Sequence, residues 1–267
     1  IKIAFTADEA KEIDEEIAWQ RELGLNPQVL DLVDVQKIEP RVNPEAIKLR
    51  VIEESASVEA YRLSVAVMQA AEQLGATQRH GNVIGIKRKG DKAKTVVLES
   101  GEIHCDTVVV CMGPWSGETG SWLDFPVPIT PLKGQIMRLE MDGPPLACWF
   151  AYKNSYCGTK PDGLTWCGTT QEEDGFNEVI TPQGLHSVMD DAVKMVPALA
   201  DAKLALQTAC LRPMASDLLP IVGPVPGWDG VFLCTGGGRK GILLGPGMAT
   251  VVADLIVKGH TSIEYSS

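Results

Sequence analysis

The chain has 267 residues, 45% of them apolar, enough for one large domain or two interleaved ones. Its 24 basic and 35 acidic residues give a formal charge of −11, and no basic run interleaves with aromatics, so a polyanion is repelled and nucleic acid is not an expected partner. Cys105, Cys111, Cys148, Cys157, Cys167, Cys210 and Cys234 stand singly, and His80, His104, His186 and His260 are scattered. That pattern predicts reduced, buried thiols in a cytoplasmic protein and no metal centre.

Ile1 to Phe5 alternates like a strand already under way, with no initiating Met and no secretory signal, so the reading expects a start in mid-protein. Thr6 and Glu9 have capping-box spacing, and Ala10, Ile13, Ile17 and Ala18 share the apolar face of a helix reaching Gly24. Between Pro27 and Pro44, apolar Val29, Leu32, Val35 and Ile38 predict a short helix halted at Glu39-Pro40. Ser57 can cap a second helix through Leu63, Val67, Ala70, Ala71 and Leu74, stopped by Gly75. Strands are expected at Gln78–Lys87, Thr95–Leu98 and Thr107–Met112, the last apolar nearly throughout, as in a parallel strand covered on both faces.

From Pro126 to Leu211 the pattern changes to strands at Gly134–Met141, Leu164–Thr169 and Leu204–Leu211 with one helix, Pro182–Val196, the mark of an antiparallel sheet with a flanking helix. Strand Val231–Thr235, the turn Gly236-Gly237-Gly238 and helix Gly241–Lys258 restore strand, turn, helix order. The longest apolar runs, Val108–Met112 and Val231–Cys234, are strand-sized, so no membrane span is expected.

Three motifs carry chemistry. Cys234 to Gly247 is a strand leading through glycines into a helix start, where N–H groups and the helix dipole suit an anionic or electron-rich ligand; an ordinary tight turn reads the same way. Val108 to Ser116 ends a buried strand in Gly113-Pro114-Trp115-Ser116, where open α/β sheets place ligands, or where a tryptophan simply caps a core strand. In Leu211-Arg212-Pro213 an arginine ends an apolar strand and proline discourages the strand from continuing. The guanidinium fork matches a carboxylate, either a ligand's or that of a structural ion pair.

In chain order these motifs resemble the FAD-dependent amino-acid oxidoreductases, the family of glycine oxidase, D-amino acid oxidase and sarcosine oxidase. Glu39-Pro40, the helix after Ser57, Asp106 to Ser116, Pro131-Leu132-Lys133-Gly134-Gln135, Gly168-Thr169-Thr170, Arg212-Pro213 and Gly236 to Leu244 all fall in register with it, and the glycine oxidases are most similar. The resemblance implies an α/β plus α+β fold, part of a doubly wound FAD-binding domain interleaved with an antiparallel-sheet substrate domain. Residues 1–55 and 131–207 would form the substrate domain, and 56–130 and 208–267 the FAD-binding domain.

Carried over by position, Arg212 would hold a substrate carboxylate, Tyr156 would donate a second hydrogen bond to it, and Arg239 would lie near the substrate. Val83 would offer its backbone to adenine, and Gly113, Trp115, Gly236, Gly237, Arg239, Gly241 and Ile242 would contact the cofactor. The implied reaction is oxidation of a small amino acid or N-alkyl glycine, with hydride passing to flavin and no general base required. Gly237 and Lys240 depart from the histidine and asparagine of glycine oxidase, so the ring contact is altered. Cys210 lies near the flavin-linking cysteine of monomeric sarcosine oxidases, but in a different motif, so FAD is expected to be non-covalent.

The family's first-strand G-x-G-x-x-G is absent; Gly236 to Gly241 spells it but has no following strand and ribose-binding acid. A truncated form is therefore expected. The alternative is a non-catalytic fragment or subunit, a substrate-binding or assembly module whose flavin half is elsewhere. A homo-oligomer or a partner subunit is compatible with either.

Overall fold

The computed structural model describes residues 1–53 and 56–263, which divide into two compact units. Unit 1 comprises Ile1–Glu59, Lys133–Glu172 and Asn177–Cys210; unit 2 comprises Ala60–Leu132, Glu173–Phe176 and Leu211–Ser267.

The chain opens with β1 (Lys2–Ala4) and α1 (Ala7–Glu22). The capping box forms as its spacing predicts: Glu9 N–H donates to Thr6 Oγ1, and the Glu9 carboxylate accepts from Thr6 N–H. The single short helix expected after Pro27 proves to be a strand followed by a helix, β2 (Gln28–Leu30) and α2 (Leu32–Ile38), then β3 (Lys48–Val51). Periodicity over three or four residues cannot separate these states; pairing decides, since Val29 and Leu30 pair with Arg50 and Leu49 of β3. Helix α3 (Ala60–Gln73) starts three residues beyond Ser57, and Tyr61, Val67 and Met68 on it are exposed.

Next come β4 (Val83–Lys89), β5 (Lys92–Leu98) and β6 (Gly101–His104), an antiparallel meander whose third strand lies between the strands expected at Thr95–Leu98 and Thr107–Met112. Strand β7 (Val108–Val110) ends in a 3₁₀ turn, Gly113–Thr119, followed by α4 (Gly120–Leu123). Strands β8 (Ile129–Glu140), β9 (Phe150–Tyr152), β10 (Ser155–Thr159) and β11 (Thr165–Gly168) precede α5 (Pro182–Met195). Strand β12 (Lys203–Ala215) runs straight through Pro213, which had been expected to end it. Strands β13 (Ile221–Pro224) and β14 (Val231–Thr235) and the helix α6 (Gly241–Lys258) complete the chain.

Unit 1 is built on the sheet ordered β12-β8-β11-β10-β9-β1-β3-β2, antiparallel from β8 through β11 and β10 to β9 and from β1 through β3 to β2, and parallel where β1 meets β9. Alternation along the strands gives it two faces. Ile3, Leu49, Met137, Leu139, Phe150, Cys157 and Cys167 pack with Val188, Ala192 and Met195 of α5, while Ala4 faces Ile13 and Ile17 of α1. Unit 2 holds the meander and the sheet β13-β14-β7, with a core of Val110, Leu123, Val231, Leu233 and Trp228. Val109 of β7 is 38% exposed, so among the described residues this strand is covered on one face, not two.

All seven cysteines are free thiols, as expected, but Cys111 and Cys210 are exposed, not buried. Residues Gly238–Lys258 are long and apolar enough to cross a membrane by length and composition, which corrects the expectation that no apolar stretch reaches that length. Counting uninterrupted apolar runs missed it because glycines punctuate the helix. The core helix of a soluble protein meets the same measure, so length alone assigns α6 no membrane role.

Candidate functional site

In unit 2, β7 and β14 lie parallel, with Val231, Phe232 and Leu233 opposite Val108, Val109 and Val110. Two predicted ligand turns therefore start from adjacent strand ends. Both need glycine: Gly113 has φ 53° and Gly236 φ 77°. A Cβ on Gly236 would meet Ile129 Cδ1 at 3.2 Å and Ile221 N at 3.3 Å, and one on Gly237 would lie 2.7 Å from Gly241 Cα. Thr235, 3% exposed, ties the turns together: its hydroxyl shares a 2.8 Å hydrogen bond with Ser116 Oγ and donates to Gly113 O at 3.3 Å.

The same turn meets the strand that carries Arg212. Met214 forms an isolated antiparallel bridge with Gly237, and its Sδ would lie 3.2 Å from a Cβ on Gly238. Arg212 is two residues earlier on the same face of β12, half-buried. Arg239 lies in the 3₁₀ turn Gly238–Lys240, exposed like Ile242, and no side chain caps the start of α6. Trp115 stacks on Phe176 with ring centroids 5.9 Å apart. Val83 begins β4, paired with Leu98.

At these strand ends the thiols of Cys111 and Cys234 are neighbours, and their interaction lowers Cys111 to about 7 and raises Cys234. The pairing follows from register, one step beyond Leu233 and Val110.

Tyr156 belongs to unit 1, on β10 opposite Gly168 of β11. A Cβ on Gly168 would stand 3.0 Å from the Tyr156 hydroxyl, so the phenol ring lies across the bare glycine. Nearby motif residues form a buried polar network. Lys133, with no exposed side-chain surface, pairs with Glu172 at 3.2 Å, and Gln135 Nε2 donates to Glu172 at 2.7 Å and to Thr181 Oγ1 at 2.9 Å. Burial pushes the Glu172 carboxyl up, but hydrogen bonds from Thr170, Gln135 and Lys133 overcome it and hold the group below 4.5. A cleft of about 400 Å³ adjoins this network, lined by Thr169, Thr170, Glu172, Thr181, Ser187 and Asp191 among others.

Residue types alone gave Gln135 and Lys133 no role, because their partners lie 35 to 46 residues away in sequence. The tie at Thr235 and Ser116 also went unmarked, since it spans 119 residues. Among the described residues no cluster of His, Cys, Asp or Glu could hold a metal.

A model of the DAO family, FAD dependent oxidoreductase, matches residues 1–255. The chain belongs to the DAO family of FAD-dependent oxidoreductases. Glycine oxidase of Pseudomonas aeruginosa is 33% identical over 203 residues, 75% of this chain and 56% of that protein. Glycine oxidase of Bacillus subtilis is 30% identical over 233 residues, 87% of this chain and 63% of that protein. The crystal structure of glycine oxidase from Geobacillus kaustophilus superposes with a TM-score of 0.93 at 25% identity, over 98% of this chain and 71% of that one. The chain thus spans less than two thirds of the length of either of these two curated relatives. The mixed α/β architecture is that of the glycine oxidases, and the family's cofactor is FAD. Two of the assigned glycines of this DAO chain leave the main chain open to that cofactor: nothing lies within 4 Å of a Cβ built on Gly113 or Gly241, so a flat ring can approach the backbone there.

Proposed function

We propose that this chain supplies the substrate-carboxylate and flavin-ring contacts of an oxidoreductase that oxidises a small amino acid or N-alkyl glycine. The bridge between Met214 and Gly237 is the observation that carries this reading, because it sets the strand bearing Arg212 against the turn assigned to the cofactor. Residues 1–55 and 131–207 make the substrate half, and 56–130 and 208–267 the flavin half.

Arg212 pairs with the substrate carboxylate, Tyr156 donates its hydroxyl to it, and Arg239 adds positive charge. Main-chain groups of Val83, Gly113, Gly236, Gly237, Gly241 and Ile242, with the Trp115 and Arg239 side chains, hold FAD. Bound by these residues, FAD would supply the hydride acceptor for oxidation at the substrate's α-carbon. The protein's own task is to orient the α-carbon and keep the amine unprotonated, work that calls for no positioned base.

Full-length protein carrying this sequence, purified with FAD, is expected to show flavin absorbance that bleaches anaerobically with glycine or N-methylglycine. A colourless protein that still binds glycine would overturn the reading and favour a substrate-binding or assembly subunit. Arg212→Ala should raise KM by roughly 10- to 150-fold, the equivalent of a charged hydrogen bond worth about 1.5 to 3 kcal/mol. An unchanged KM would remove Arg212 from the site.

A further inference from the structure

Tyr156 is held by more than its own strand. Gly158 follows two positions later on β10, on the same face, and is fully buried. A Cβ there would fall 2.3 Å from Trp149 Cδ2, 2.6 Å from Cε3 and 2.7 Å from Cε2, so the Trp149 indole occupies the space that a side chain at 158 would fill. From that seat its ring stands 5.8 Å from the Tyr156 ring, tilted by 49°. On the other side the phenol rests against bare Gly168, where a Cβ would crowd both the Tyr156 hydroxyl at 3.0 Å and Ile136 Cγ2 at 2.7 Å. Trp149 and Tyr156 also line one cleft of about 630 Å³ together with Ala151.

Two missing side chains and one large ring thus form a cradle. A residue with its own Cβ at 158 would evict the indole, and without the indole the phenol ring has open space on that side. Loss of the indole contact would then widen the range of χ1 and χ2 open to the Tyr156 ring.

We propose that Trp149, seated in the hollow of Gly158, is the positioning residue that aims the Tyr156 hydroxyl at the substrate carboxylate. This rests on the assignment of Tyr156 to the substrate. Trp149 acts by narrowing the orientations of the phenol before substrate arrives, so its effect falls on substrate affinity and not on the hydride step.

The test is a double-mutant cycle in the FAD-loaded full-length protein, with glycine and N-methylglycine as substrates. Trp149→Ala is expected to raise KM roughly 3- to 10-fold, the range of an aromatic pair, with kcat nearly unchanged. Trp149→Ala/Tyr156→Phe should be no worse than Tyr156→Phe alone, and Trp149→Phe should recover most of the loss. Gly158→Ala, which keeps the tryptophan but fills its seat, should reproduce the Trp149→Ala defect and serves if that variant does not fold. Multiplicative effects in the double variant, or unchanged KM in both Trp149→Ala and Gly158→Ala beside a raised KM in Tyr156→Phe, would overturn the positioning role alone. Unchanged KM in Tyr156→Phe would overturn both it and the assignment of Tyr156.

Discussion

At the scale of single residues, Glu39 shows how an acid in a halting Glu-Pro step becomes a structural clamp. It is 1% exposed, and Arg41 Nε and Nη2 each donate to it at 2.6 Å, while Ala147 N–H donates at 2.9 Å. Burial alone would raise its carboxyl; the Arg41 guanidinium and the Ala147 N–H reverse that and hold it below 4.5. Glu39→Ala removes the acceptor of four donors, Nε, Nη2 and the backbone N–H of Arg41 and the N–H of Ala147. We expect a loss of about 3 kcal/mol, the low end for a broken buried pair, because Arg41 keeps the carbonyls of Pro144 and Pro145. A urea midpoint within error of the parent would show that the clamp adds nothing.

At the scale of elements, α6 and its entry turn contain glycines of opposite kinds. Gly245 lies inside the helix with nothing within 4 Å of a built Cβ, whereas a Cβ on Gly237 would press on Gly241 Cα at 2.7 Å. Gly245→Ala should stabilise by about 0.5 to 1 kcal/mol through helix propensity, and Gly237→Ala should cost about 1 to 3 kcal/mol through overpacking. Thermal melts of the two variants check this; equal shifts would mean that the turn yields freely. Such a difference is invisible in the string Gly236 to Gly247, where every glycine looks alike. Elements with their own local signal were legible, such as α1 from its capping box and β14 and α6 from a strand-turn-helix pattern. The three- and four-residue strands β2, β9 and β13 were not, because their partners, not their own residues, hold them extended.

At the scale of the whole molecule, the carboxylates held down by buried or half-buried partners, Glu9, Glu39 and Glu172, all belong to unit 1. In unit 2 the lowered acids Glu102 and Asp254 sit in surface pairs with Lys87 and Lys258, which solvent screens. A depressed carboxyl contributes stability above its ordinary value of 4.5 and loses it as pH falls through the folded value. Hydrogen exchange should therefore find unit 1 constant above about pH 5 and losing protection in β10 and β11 below 4.5, before β7 and β14 of unit 2 do. Earlier loss in unit 2 would contradict the assignment.

Residue order by itself pointed to the family, and through that resemblance to the FAD cofactor, the mixed α/β class and the residues worth testing, because seven short segments fall in register with the family in chain order. Only the tertiary structure decided that β12 continues through Pro213 to bridge Gly237, that Lys133 and Gln135 meet Glu172, and that Trp149 fills the hollow of Gly158. Each is a contact between segments distant along the chain or on different strands, set by sheet register and packing, and no window of sequence contains it.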